Sequence, residues 1–109
     1  MHDELQSTEC ARRLKALADS ERLKIVQLLQ GGPKNVSTLS DLLGSDIANV
    51  SHHLSVLLHA GLVRNEKRGK FVVYSLHPDI FRPGARGQAA DVIDLGCCRL
   101  ELGAADEPH

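Results

Sequence analysis

The chain has 109 residues, 42% of them apolar and 25% charged, with a net charge of −1, which fits one domain and excludes disordered and collagen-like chains. Its unbroken apolar runs fall far short of the ~20 residues that span a bilayer, so no membrane partner is expected. His2, Asp3, Glu4 and Gln6 stand where the apolar part of a secretion signal would begin, which reads as a cytoplasmic protein.

The first predicted helix surrounds Cys10 to Leu17. Cys10, Leu14 and Leu17 share one face, and Arg12, Arg13 and Lys15 form a solvated one. Asp19-Ser20 offers an N-cap to a second helix with Ile25, Leu28 and Leu29 on its inner face, stopped by Gly31-Gly32-Pro33. Ser37 opens a short third helix carrying Leu39, Leu42 and Leu43, and Gly44 ends it. Asp46 caps a fourth helix, whose stripe of Val50, Leu54, Leu57 and Leu58 runs up to Gly61. Beyond Gly61 the period becomes that of strands. Leu62–Lys67 and Phe71–Leu76 pair through a tip at Arg68-Gly69-Lys70, where Gly69 supplies the positive φ of a tight turn, and His77-Pro78 closes the hairpin. Phe81 to Gln88 reads as a loop. Ala89 to Leu95 admits a helix, whereas 97–102 reads as a strand that places Cys98, Leu100 and Leu102 on one face. Residues 103–109 read as a frayed tail.

Helix, short helix, Gly-containing turn, helix and hairpin make a mainly α winged helix-turn-helix, a single DNA-binding domain over 1–109 with its core at about 8–77. A four-turn helix over 47–60 has the width of the DNA major groove, where every base pair is distinguishable. Its solvent face presents Ala48, Asn49, Ser51, His52 and Ser55, and no acidic residue lies between Ile47 and Ala60. Arg64, Lys67, Arg68 and Lys70 on the wing are placed to meet the DNA backbone or minor groove. Charge is distributed to match. Residues 61–86 carry six basic side chains against two acidic, and residues 87–109 one against five. Phe71, Phe81 and Tyr74 are the only aromatics, which argues against single-strand binding by stacking and for a duplex. Adjacent helical residues point ~100° apart, so His52 is assigned to DNA and His53 to packing.

Two stretches resemble the ArsR/SmtB family of arsenic-repressor regulators: Leu14-Lys15-Ala16-Leu17-Ala18-Asp19-Ser20-Glu21-Arg22-Leu23-Lys24-Ile25, and Val50-Ser51-His52-His53-Leu54-Ser55-Val56-Leu57-Leu58-His59-Ala60-Gly61-Leu62-Val63. With the following Gly69 and Val73-Tyr74-Ser75-Leu76, the resemblance covers roughly residues 8–77. It implies a homodimeric winged-helix repressor that binds a palindromic double-stranded operator and releases it on sensing a metal, a metalloid or a thiol oxidant. Two effector sites that the family uses are not matched. Thr38 and Ser40 stand where arsenic sensors carry Cys-x-Cys, and they are poor ligands for a soft ion. After His77, only His109 remains for the Asp/His site of a C-terminal helix.

Three cysteines remain: Cys10, Cys97 and Cys98. An odd number with two adjacent is a poor disulfide framework, and in a reducing compartment it points to thiol or metal chemistry or to packing. Three thiolates suit As(III) or another thiophilic metal ion as effector, vicinal thiols suit an oxidant or persulfide, and free Cys is also a common buried residue. No other cofactor is expected. The segments 5–17 and 88–102, with Leu14, Leu17, Val92, Ile93, Leu95, Leu100 and Leu102, are the expected dimer interface. Cys10 is expected to meet Cys97 and Cys98 only there, with at least one of the pair accessible. A thiol- or metal-handling protein without DNA binding is the rival of another class, as is a winged-helix module that binds protein. Against the former, the chain has no Cys-x-x-Cys and no phosphate loop, and no enzyme activity is expected.

Overall fold

In the computed structural model, which describes residues 4–83 and 90–102, four helices occupy the first half of the chain: α1 (Glu4–Leu17), α2 (Ser20–Leu29), α3 (Val36–Leu43) and α4 (Ile47–His59). Three of their starts are capped by a side chain that accepts from orphaned backbone N–H groups. Asp19 accepts from the N–H of Glu21 and Arg22 at 2.9 and 3.1 Å, Asn35 from Thr38 at 2.8 Å and Asp46 from Asn49 at 2.8 Å. Asn35 rather than Ser37 therefore sets the start of α3. Gly44, at φ 67°, ends α3 in the left-handed region that only glycine adopts freely. The first helix begins at Glu4, well before the apolar stripe that announced it. Among the described residues, no helix is long and apolar enough to cross a membrane.

The wing is the antiparallel pair β2 (Val63–Arg68) and β3 (Phe71–Leu76), with Val63 opposite Leu76 and Arg68 opposite Phe71 across a two-residue turn in which Gly69 has φ 63°. A strand absent from the sequence expectations, β1 (Lys34–Asn35), joins the other edge of β3, so the sheet order is β1-β3-β2. Two residues are too few to show a period of two. Leu62 and Val63 are buried and anchor the hairpin to the helices.

The C-terminal segment departs from expectation. Strands β4 (Phe81–Pro83), β5 (Ala90–Asp94) and β6 (Arg99–Glu101) form a second antiparallel sheet in the order β4-β5-β6. Phe81–Pro83 is thus a strand and not part of a loop, and residues 84–88 of that expected loop lie outside the described residues, as does the 103–109 tail. The helix admitted for 89–95 is a strand over 90–94, and the expected strand at 97–102 holds over 99–101. Val92-Ile93 is a β-branched pair that suits a pleated surface, and Phe81 lies opposite Ile93. Gly96, at φ 94°, turns the chain from β5 toward β6.

One core cluster joins both halves, including Cys10, Leu17, Ile25, Leu39, Leu54, Leu57, Ile80, Phe81, Ile93 and Leu95. Leu17, Ile93 and Leu95 therefore find a core within one chain, contrary to the expectation that a second copy must cover them. Leu100 and Leu102 pack half-buried against the same cluster, while Leu14 is 38% exposed.

Candidate functional site

The stripe of α4 that faces inward is Val50, His53, Leu54 and Leu57. Ala48, Asn49, Ser51, His52 and Ser55 are all exposed on the rest of its circumference. His53 is buried, as its separation from His52 around the helix required, and it is held at both ring nitrogens. Arg22 donates from Nη1 to Nδ1 at 3.1 Å, and Nε2 lies 3.1 Å from Glu21 Oε1. A guanidinium can only donate, so Nδ1 is the acceptor and Nε2 carries the proton. Glu21 Oε1 also accepts from Asn49 Nδ2 at 2.7 Å, and the same nitrogen lies 2.9 Å from Ser45 Oγ. The first turn of α2 thereby clamps α4 at two points and fixes how its exposed face is presented. Asp19, which caps that turn, has its carboxyl held below the ordinary carboxylate range, chiefly by the backbone N–H of Arg22.

Arg64, Lys67, Arg68 and Lys70 are all exposed on the wing. They do not share one face. By strand alternation, Arg64, Glu66 and Arg68 lie on one side of the hairpin and Lys67 on the other, and Arg68 is paired with Glu66 at 3.3 Å. The expected solvated face of α1 is also more structured than its composition implied. Arg12 donates to the carbonyl of His59 at 2.8 Å and pairs with Glu9, whose carboxyl is lowered chiefly by that hydrogen bond. Arg13 is half-buried and reaches the carbonyl of Leu95 at 3.5 Å.

The three cysteines meet within a single chain. Cys10, 2% exposed in α1, is joined as a disulfide to Cys97, with their Cα atoms 6.2 Å apart across 87 residues of sequence. That Cα separation lies in the range a disulfide spans. Cys98 Sγ is 3.9 Å from Cys10 Sγ, and the three sulfurs all lie within 4.8 Å of one another. This corrects two expectations, that the spacing is a poor disulfide framework and that a dimer interface is needed to bring the thiols together. The β5–β6 turn does it instead. Leu95 N donates to Cys98 O at 2.9 Å and Gly96 N to Asp94 Oδ1 at 3.0 Å, folding Cys97 and Cys98 back over α1. Cys97 is exposed, as expected for at least one of the adjacent pair, and Cys98, the free thiol, is half-buried. Metal–sulfur bonds of about 2.3 Å hold sulfurs about 3.8–4.0 Å apart, which matches the 3.9 Å between Cys10 and Cys98, so the three thiolates of a reduced chain would suit a soft ion. The alternative sites stay poor. Thr38 is exposed, and the Ser40 hydroxyl donates to the carbonyl of Ser45.

The profile of the family described as "Bacterial regulatory protein, arsR family" matches residues 19–65, from the cap of α2 into the wing. The transcriptional repressor SdpR of Bacillus subtilis is 31% identical over 68 residues, which is 62% of this chain and 76% of that one. This chain belongs to the arsR family. NmtR of Mycobacterium tuberculosis, named as an HTH-type transcriptional regulator, is 39% identical over 75 residues, covering 69% of this chain but 62% of its own length. The solution structure of a homodimeric winged helix-turn-helix DNA-binding domain, Mb0332 from Mycobacterium bovis, superposes with a TM-score of 0.65 at 27% identity, covering 72% of this arsR-family chain and 75% of that one. Other relatives are named for cadmium and arsenical resistance. Its relatives are transcriptional regulators and not enzymes. What sequence reasoning missed in the site is the Glu21–Arg22 clamp, whose one sequence signal is its position directly after the Asp19 cap.

Proposed function

We propose that this arsR-family chain is a homodimeric transcriptional repressor that leaves its double-stranded operator when Cys10, Cys97 and Cys98 bind a soft metal or metalloid such as As(III). The observation that carries this reading is the convergence of three sulfurs from the two ends of the chain within 4.8 Å. Ala48, Asn49, Ser51, His52 and Ser55 on α4 are assigned to the major groove, and Arg64, Lys67, Arg68 and Lys70 to the backbone. A dimer presents two such helices about 34–36 Å apart, matching a palindromic site. Asn49 meets DNA with its amide nitrogen already committed to Glu21 and Ser45, so its carbonyl oxygen is left to contact a base. An effector bound more tightly by the DNA-free form releases the operator by linkage, and ~1.4 kcal/mol of coupling gives a tenfold loss. The ligand is thiolate, so binding releases protons and weakens as pH falls.

The Cys10–Cys97 bond favours a second reading, in which the thiols answer to oxidation. Two thiols then become one disulfide, and two protons and two electrons pass to the oxidant. Titration of As(III), Cd(II), Zn(II) and a persulfide donor against the protein–operator complex separates the readings. Under the metal reading both Cys97→Ser and Cys98→Ser blunt release by As(III). Under the thiol reading Cys97→Ser abolishes release by the persulfide donor, and Cys98→Ser retains it. If no agent dissociates the complex, the cysteines only pack.

A further inference from the structure

Between α1 and α4 lies an open groove of about 600 Å³. Its floor is apolar, and its rim carries Arg12 and Lys15 of α1, Arg22 of α2, and His52 and His59 of α4. No carboxylate lines it among the described residues. The two guanidinium groups are held in place rather than splayed into solvent. Arg12 is tied to the carbonyl of His59 at the end of α4 and to the Glu9 carboxylate. Arg22 is tied to the carbonyl of Ala16 and to His53. His59 donates from Nδ1 to the carbonyl of Ser55 at 2.8 Å, which fixes its ring on the rim. Lys15 is exposed at the edge.

The position of this groove gives its use. Ala48, His52, Ser55 and His59 succeed one another along one stripe of α4, so the base-reading end and the groove are two ends of a single surface. A helix ~10–12 Å across fills a major groove ~12 Å wide, which brings a phosphate strand against the flank of α4. On the α1 side, that flank is this groove.

We propose that the groove is a phosphodiester site that grips the operator backbone beside α4, so that the DNA footprint extends onto α1. The inference rests on the proposed DNA-binding reading. Two held guanidinium groups, with an ammonium at the edge, supply backbone contacts that position without sequence preference. A strand running past needs an open site, and this groove is open to solvent.

The test is fluorescence anisotropy on two duplexes, one selected by the wild-type protein from a randomised pool and one of unrelated sequence, each over a salt series. Lys15→Ala should weaken binding to both duplexes alike and lower the slope of log K against log salt by about 0.9, and Lys15→Arg should restore it. Lys67→Ala on the wing serves as the reference. If the wild-type protein binds neither duplex, the DNA-binding reading itself falls. If it binds and Lys67→Ala lowers the slope while Lys15→Ala keeps the wild-type slope and affinity, the groove proposal alone is overturned. Inorganic phosphate added to the free protein at constant ionic strength should give no saturable shift of the His52 and His59 ring resonances. Saturation in the low millimolar range, lost in Lys15→Ala, would make the groove a small-anion site and overturn the strand contact.

Discussion

From Asp19 to Leu76 nearly every boundary has a local cause, whereas the described strands between Ile80 and Leu102 are placed by pairing with one another and by a link back to the first helix. In the first region Asp19, Asn35 and Asp46 cap three helices, and Gly44 and Gly69 sit where the backbone turns left-handed. In the second, β5 stands between β4 and β6, Asp94 N donates to Ile80 O at 2.7 Å, and Cys97 reaches back to Cys10 in the first helix. The lesson is one of separable roles. The helices and wing are specified where they stand, while the C-terminal sheet is tied to them through a few contacts, Cys10–Cys97 among them, that can open without melting the helices.

The sharpest way to break this comparison is to empty each core in turn. Leu54 is fully buried, and Leu54→Ala should cost about 2–5 kcal/mol and lower the urea midpoint of the whole molecule. Ile93 is equally buried, yet Ile93→Ala should raise amide exchange across 90–102 and leave the amides of α4 protected. Equal loss in α4 would show that the two regions are one cooperative unit. Under oxidising conditions Cys97→Ser should destabilise the chain by about 2–4 kcal/mol, Cys98→Ser should not, and a reductant should erase the difference between them. His53→Ala should cost about 1–3 kcal/mol, because the buried side of Arg22 loses its acceptor, and operator affinity should fall with it as α4 loses its clamp.

The smallest effect is in pH. The Asp19 carboxyl is depressed in the folded chain, so its contribution is fully present above its ordinary value of 3.8 and is lost as pH falls through the lower folded value. Asp19→Asn should keep the cap and flatten the acid limb of a stability profile below the carboxyl's ordinary value of 3.8. A profile unchanged from the wild type would remove Asp19 as the cause.

The same division explains what could be read from the sequence. Stripes such as Val50, Leu54 and Leu57, bounded by Asp46 and Gly61, carry helix and direction together, and the Gly69 tip carries the wing. His53 was legible as a packing residue because its neighbour His52 must point elsewhere. The clamp on it was not, since Glu21 and Arg22 lie 28 and 31 residues from their α4 partners Asn49 and His53, and no local rule pairs them. Ala89 to Leu95 has apolar residues compatible with either period, and only pairing with Phe81–Pro83 decides for a strand. The members of the sulfur cluster were legible by elimination. That one chain suffices to assemble it follows from the β5–β6 turn, which spacing alone did not announce.

The bond between Cys10 and Cys97 also turns most of the polypeptide into a ring, with α4 and the wing inside the closed circuit. A trypsin cut after the exposed Lys70 opens that ring without releasing a fragment. On a gel the nicked protein should run as one species of full mass until reductant is added, and then as two. The two pieces stay tethered, so their strands β2 and β3 can re-pair as an intramolecular event, and the cut wing keeps its register as long as the thiols stay oxidised.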